Sequence, residues 1–377
     1  MAEYRTMSES ELRERTRALL AEIHPEKSDA IAFRRAQYAH GLAWVHFPEG
    51  YGGLGLPPKM NGIVHDEIAR HSKVVHGDPP ASLIGIGMGA PVVLTYASDE
   101  QKKRLLPAIF SGEEIWCQMF SEPSAGSDVA GLATRAVRDG DEWVVNGQKV
   151  WTTVAHLSKW GMLVARTNPD VPKHDGLSYF ILDMKSPGVE VRPLYQITGE
   201  AEFNEVFFTN VRIPAANMLG KEGQGWEIVS SALVNERSGI AAGVRCDQTL
   251  EWLVKTAQNQ GVSDDPNVRQ RLATLAIKGM IMKCAGMRGL TDSLRERMNP
   301  HLSAAMKLMA TTLTQEYSET AMEILGPWAQ LMNDGHAPFD GRWSRQYLYD
   351  RSMTIAGGTT EVQRNIVAQR ILGLPRR

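Results

Sequence analysis

The sequence is poor in cysteine. Its 377 residues hold three, Cys117, Cys246 and Cys284, scattered and in no metal-ligand spacing. That speaks against a disulfide framework and against a thiolate metal site, and an odd, sparse count suits a reducing, cytoplasmic setting. No apolar run is long enough to span a bilayer. Neither sign of charge is in excess: 41 Lys and Arg stand against 43 Asp and Glu, a formal net charge of −2. There is no basic surplus for nucleic acid and no like-charge tail for a partner. Near the start, Arg5, Arg13, Arg15 and Arg17 alternate with Glu9, Glu11 and Glu14. This reads as a solvated helix face rather than a transit peptide. Internal repeats and low-complexity segments are missing too.

What is present falls into three stretches. Residues 8–118 carry helical spacing, with Ser8 or Ser10 capping a first helix through Leu12, Leu19 and Leu20. Ser98 caps a short basic helix expected to stop at Pro107. The Phe47–Pro58 segment is a glycine-rich turn without the Gly-Lys-Ser/Thr ending of a phosphate loop. From 119 to about 220 short strands follow one another, including an expected hairpin in which Trp143–Val145 and Gln148–Trp151 flank an Asn146-Gly147 turn. From Gly225 the period is helical again. Leu272, Ala276, Met280, Cys284 and Met287 form one expected core face, and Leu302, Met306, Met309, Leu313 and Tyr317 another. Near the end, a glycine turn feeds a helix with capping-box spacing at Thr360 and Gln363.

Two pieces of the middle stretch suggest one wall of a site for a flat polar ring. Phe120-Ser121-Glu122-Pro123-Ser124-Ala125-Gly126-Ser127-Asp128 is a tight loop rich in hydroxyls and small residues, and Trp151-Thr152-Thr153 offers an indole followed by two hydroxyls.

These pieces occur in order with Pro48-Glu49-Gly50-Tyr51-Gly52-Gly53 and Gly357-Gly358-Thr359-Thr360-Glu361-Val362-Gln363-Arg364. Together, from about Phe47 to Leu374, they resemble the acyl-CoA dehydrogenase family. The resemblance implies an α+β, mostly α fold: an N-terminal helical domain (1–118), a middle β-barrel or sandwich domain (119–222) and a C-terminal four-helix bundle (223–377). It implies FAD lying between the β-domain and the bundle, with Gln118, Phe120, Ser121 and Ser127 along the flavin. Trp151, Thr152 and Thr153 would meet the isoalloxazine ring, and Thr359 and Glu361 would stand near the cofactor. Ser127, Arg237 and Gly358 are set against the substrate. The implied reaction is α,β-dehydrogenation of an acyl-CoA thioester to the trans-2-enoyl-CoA, in fatty acid and lipid degradation. An electron-transfer flavoprotein is the implied acceptor.

Two departures from the family pattern matter. Where many members place the catalytic base, this chain has Gly357; the matching alternative on an earlier bundle helix is Glu236, next to Arg237. The segment expected to reach the adenine end of FAD is altered over Asn259–Leu272, where Arg269 or Arg271 would replace the usual arginine or else flank a helix starting at Pro266, and again at Leu325-Gly326-Pro327-Trp328. These changes resemble a bacterial branch in which some members assemble from two kinds of subunit. The expected assembly is therefore a homodimer or tetramer, or a heterotetramer with a paralogous chain. Two alternatives stand beside a dehydrogenase: a partner subunit with a shared or degenerate flavin site, and a flavin monooxygenase of the same fold.

Overall fold

The structure, a computed structural model, describes residues 4–74, 82–242, 245–295, 299, 301–332 and 335–375. The chain divides into two compact units, Met1–Leu194 with Ala201–Ala232, and Tyr195–Glu200 with Leu233–Arg377.

The first unit opens with five helices: α1 (Glu9–Glu22), α2 (Ala30–Ala39), α3 (Asn61–His71), α4 (Ala90–Tyr96) and α5 (Asp99–Ser111). Ser8 starts α1 through a reciprocal cap, its hydroxyl accepting from the Glu11 N–H while the Glu11 carboxylate accepts from the Ser8 N–H. Leu12, Leu19 and Leu20 then point into a core with Phe33, Leu42, Val45, Leu54, Val64 and Ile68. Ser98 and Gln101 cap α5 in the same way. Against expectation, α5 runs through Pro107 to Ser111 and ends at Gly112, whose φ of +81° suits a left-handed stop. Pro107 forfeits the bond to the Lys103 carbonyl. Buried Leu105, Leu106, Ile109 and Phe110 on both sides of it hold the turn in place.

The same unit continues into an eight-stranded sheet: β1 (Trp116–Met119), β2 (Arg135–Asp139), β3 (Glu142–Thr153), β4 (Trp160–Arg166), β5 (Leu177–Asp183), β6 (Val189–Leu194), β7 (Phe203–Pro214) and β8 (Met218–Leu219). Its order is β6-β7-β3-β2-β4-β5-β8, with β1 parallel to β4. Among the described residues, β2 and β4 join through the single parallel pair Arg135↔Arg166, so the two halves of the sheet meet along a short seam. Trp143, Val145, Leu163, Ala165, Phe180, Leu182, Val206 and Phe208 from both halves form one core.

The expected Asn146-Gly147 hairpin turn is not made. β3 passes straight through, and its hairpin with β2 turns instead at Gly140-Asp141, closed by Asp139↔Glu142. Asn146 and Gly147 sit at a register shift against β7. Asn146 is occupied across the strands by Asn210, whose N–H donates to its side chain at 2.8 Å. Gly147 lies so close to Thr134 that a Cβ would fall 2.4 Å from the Thr134 hydroxyl.

α6 (Gly225–Ala242) starts in the first unit and ends in the second. The second unit continues with α7 (Cys246–Asn259), α8 (Pro266–Leu294), α9 (Leu302–Leu325), α10 (Arg342–Met353) and α11 (Thr360–Ile366). α9 packs against α7, α8, α10 and α11, and its Ala310, Leu313, Tyr317, Ala321 and Ile324 share a core with Leu253, Leu275, Met282 and Trp343. The face expected to be core on α8 is core only at its start: Leu272 packs against the core and Ala276 is half-buried, but Met280, Cys284 and Met287 are exposed, and the buried residues further along are Leu275, Gly279 and Met282. In α9 Leu313 and Tyr317 are buried as expected, and Met309 is partly exposed. No helix of the described residues is long and apolar enough to cross a membrane.

Candidate active site

In the first unit, β1 delivers Gln118, half-buried, into the Phe120–Asp128 loop. The Phe120 ring is buried, edge-on to Tyr179 at 5.9 Å between centroids, so its side chain serves the core and only its main chain is left for a ligand. Glu122 and Ala125 exchange backbone bonds of 3.0 Å across a tight turn. The loop is anchored from within. The buried Glu122 carboxylate accepts from the Ala133 N–H at 2.6 Å, the Thr134 N–H at 3.0 Å and Lys149 Nζ at 2.8 Å. Lys149, fully buried, also donates to the Phe120 carbonyl at 3.0 Å.

Burial opposes the charge on Glu122, but the Lys149 ammonium and the donors around it outweigh that and hold the carboxyl below its ordinary range. Burial in turn pushes Lys149 down to about 8, against the pull of Glu122. Glu122 is therefore the peg of this loop. A signal was available for it: a glutamate between small residues, with a lysine following Gln148 on the next strand. Ser127 at the loop's far end is exposed, and neighbouring Asp128 pairs with Lys173 at 2.8 Å.

The second piece is Trp151. The ladder between β3 and β7 shifts between Lys149 and Thr152, and Trp151, inside the shift, has φ +60°. A non-glycine residue adopts this left-handed shape at a cost. The result is an indole 61% exposed, braced edge-on by Phe203 at 6.1 Å. Thr152 follows, buried, and among the described residues its hydroxyl has no hydrogen-bond partner. Thr153 is half-buried. A bare aromatic face beside an orphaned hydroxyl is what a flat ring with a polar edge would complete, so these residues fit a flavin.

In the second unit, Glu236 and Arg237 stand half-buried on α6. Burial lowers the Arg237 pKa from its ordinary value while Glu236 opposes that. Both act on Lys307 of α9, which donates to the Gly358 carbonyl at 2.9 Å. Gly357 and Gly358 are left-handed, with φ +65° and +96°. Gln363 reaches back to both of their carbonyls, at 2.9 and 3.1 Å. This replaces the expected Thr360–Gln363 capping box. The cap is one residue earlier, with the Thr359 hydroxyl accepting from the Val362 N–H. Glu361 is exposed, its carboxyl held low by its own N–H and by the Thr359 hydroxyl.

At the altered segment, α8 does start at Pro266, with Asp265 accepting from the Asn267 N–H at 2.7 Å. Arg271 is paired with Glu323 of α9, and Arg269 is exposed on the same helix. Both arginines thus lie within the first two turns of this helix.

The comparisons with known proteins agree along the whole chain. Family models for the acyl-CoA dehydrogenase N-terminal, middle and C-terminal domains match residues 2–113, 117–211 and 223–372. The chain is similar to acyl-CoA dehydrogenase IpdE1 of Mycobacterium tuberculosis, 38% identical over 358 residues that cover 94% of this chain and 90% of the relative. Among solved structures it resembles a chain of the ChsE4–ChsE5 complex from Mycobacterium tuberculosis, with TM-score 0.76, 32% identity and full coverage of both chains. It also resembles the Tcur3481–Tcur3483 steroid ACAD, with TM-score 0.81, 28% identity and 98% of each chain covered. With a peg-held loop, an exposed tryptophan and a glycine turn at the positions where the family's motifs fall, this chain belongs to the acyl-CoA dehydrogenases, a family of FAD-dependent oxidoreductases.

Proposed function

We propose that the protein, in the cytoplasm, dehydrogenates an acyl-CoA thioester to its trans-2-enoyl-CoA, with Glu236 as the base. The observation that carries this reading is the charged cluster of the second unit. Glu236 is a half-buried carboxylate beside Arg237 and within electrostatic reach of buried Lys307, while the glycine turn that holds the base in other members offers none. The α C–H of a thioester is weakly acidic, so a positioned, ionised carboxylate in a water-poor setting is the group required. Glu236 in turn favours the charged forms of Arg237 and Lys307. Glu236 takes the α proton and becomes the carboxylic acid. FAD, when bound, supplies the acceptor for the hydride leaving the β carbon. Gln118, Ser121, Ser127 and the Phe120 main chain would line the flavin, the Trp151 indole would lie against its ring, and the Thr152 and Thr153 hydroxyls would meet its polar edge. Thr359 and Glu361 would stand by the cofactor, and Arg237 and Gly358 by the thioester. Electrons would leave through an electron-transfer flavoprotein.

The test is Glu236→Gln. The expected outcome is a yellow protein with its flavin retained and a rate of anaerobic bleaching by acyl-CoA esters lowered about 10²–10⁴-fold. Turnover within twofold of wild type would sink the assignment. The panel should include a CoA thioester of a steroid side chain, since the similar Tcur3481–Tcur3483 protein is a steroid ACAD.

A second reading concerns assembly. Ile277, Met280, Ile281 and Met287 leave an apolar stripe on the exposed face of α8. Such a stripe fits a subunit interface, with a second copy or with a paralogous chain.

A further inference from the structure

Lys307 lies within α9 and is 0% exposed. A buried ammonium brings three donors and a full charge, and each needs an answer. Packing does not explain it, because a methionine of similar volume would fill the same space without desolvating a charge. Among the described residues its one hydrogen bond runs to Gly358 O. Glu236 favours its charge across space and Arg237 opposes it.

The turn that Lys307 grips has little slack. Gly358 O is shared between Lys307 Nζ and Gln363 Nε2, and a Cβ on Gly358 would lie 2.5 Å from that same Gln363 nitrogen. One side chain therefore ties α9 to the glycine turn ahead of α11 by a hydrogen bond, and carries its charge within electrostatic reach of Glu236 and Arg237 on α6.

We propose that Lys307 is a positioning residue that sets the Glu236 carboxylate and the Gly357–Gly358 turn with respect to each other, the first by charge and the second by a hydrogen bond. This rests on the reading of Glu236 as base. A carboxylate must be ionised to accept a proton, and a cation within electrostatic reach favours that form. The turn, at the place where other members carry the base, is held to the same cation. Among the described residues, the charged groups acting on Lys307 are both on α6, Glu236 and Arg237.

The experiment uses the full chain as purified, with Lys307→Met and Glu236→Gln singly and combined, and with Lys307→Arg. In thermal unfolding at pH 7, the shift caused by Lys307→Met should be about 2–4 °C less favourable in the wild-type background than in the Glu236→Gln background. Lys307→Arg, which keeps the charge, should recover most of that difference. Equal shifts in the two backgrounds would overturn the link to Glu236, because a residue that only fills space does not sense the charge on its neighbour. Amide hydrogen exchange over residues 357–363 should quicken several-fold in Lys307→Met and stay unchanged in Glu236→Gln. Unchanged exchange in Lys307→Met would overturn the link to the turn. If Lys307→Met fails to fold, Lys307→Gln, which keeps a donor and drops the charge, serves in its place. Retained turnover in Glu236→Gln would remove the base assignment alone, since neither readout depends on activity.

Discussion

Trp151 is held in a backbone shape that its own side chain disfavours, and nothing in the core of its unit requires the ring, which is mostly exposed. The strain and the exposure together fit the proposed contact of the indole with a bound flavin. Replacement should show this separately from folding. Trp151→Gly should be more stable than Trp151→Ala by about 1 kcal/mol in denaturant unfolding of flavin-free protein, because only glycine tolerates φ +60° without cost. Both variants should lose flavin faster than wild type on gel filtration. If alanine and glycine are equally stable, the bulge at this position has relaxed and the strain argument fails.

The two buried lysines give a pH signature at the same scale. Lys149 and Lys307 both sit at about 8 in the folded chain, and burial is the larger cause for each. In the unfolded chain a lysine keeps its proton to about 10.4. Between these values the unfolded state binds more protons, so the contribution of each lysine to stability rises with pH. Buried Tyr179 and Tyr317, pushed up by desolvation, hold protons in the folded state longer and begin to act in the opposite sense above about pH 10. Relative to Lys307→Met, wild type should therefore gain thermal stability from about pH 8 to about pH 10. A constant difference across that window would show that Lys307 titrates normally.

At the scale of the element, starts were legible and turns were not. Ser8 and Ser98 were readable as caps because a cap is a local exchange between residues three apart. Asn146-Gly147 carries the strongest short hairpin signal in the chain, yet it lies in mid-strand. The competing feature was Asp139-Gly140-Asp141-Glu142, which turns six residues earlier, and the glycine at 147 serves close approach to Thr134 instead. Gly147→Ala should therefore be costly, by about 2–3 kcal/mol, since the new Cβ would meet the Thr134 side chain at 2.4 Å and its Cα at 2.8 Å. Denaturant unfolding measures this directly. A tolerated alanine would mean that β2 shifts to make room. Pro107 misled for a different reason: a proline penalty of about 3 kcal/mol is smaller than what four buried apolar side chains around it contribute.

For the whole molecule, the order helices, strands, helices follows from the change of period from about 3.6 to about 2 and back, and that order is the fold. Periodicity could not say which side of α8 is inside, because apolar residues occupy more than one face of it. Leu275, Gly279 and Met282 face the core, and Ile277, Met280, Ile281 and Met287 face outward, with Met280 66% exposed. An interface adequate for a stable pair buries about 1,200–2,000 Å² in total, and a stripe of this kind at its centre would account for a face that looks like core in sequence but is bare in the single chain. Met280→Glu with Ile281→Lys should then lower the molar mass measured by light scattering toward that of one chain, 41.7 kDa, while the helical signal in circular dichroism is kept. The flavin content read in the same samples separates the two kinds of assembly. If the wild-type chain purifies alone as an oligomer with one FAD per chain, the stripe joins identical copies, and the double variant should shed flavin as it dissociates. If the wild-type chain purifies alone with little FAD and gains it on mixing with a paralogous chain, the stripe belongs to a mixed pair, and the double variant should fail to gain flavin on mixing. An unchanged mass and unchanged flavin in the double variant would remove α8 from the interface altogether.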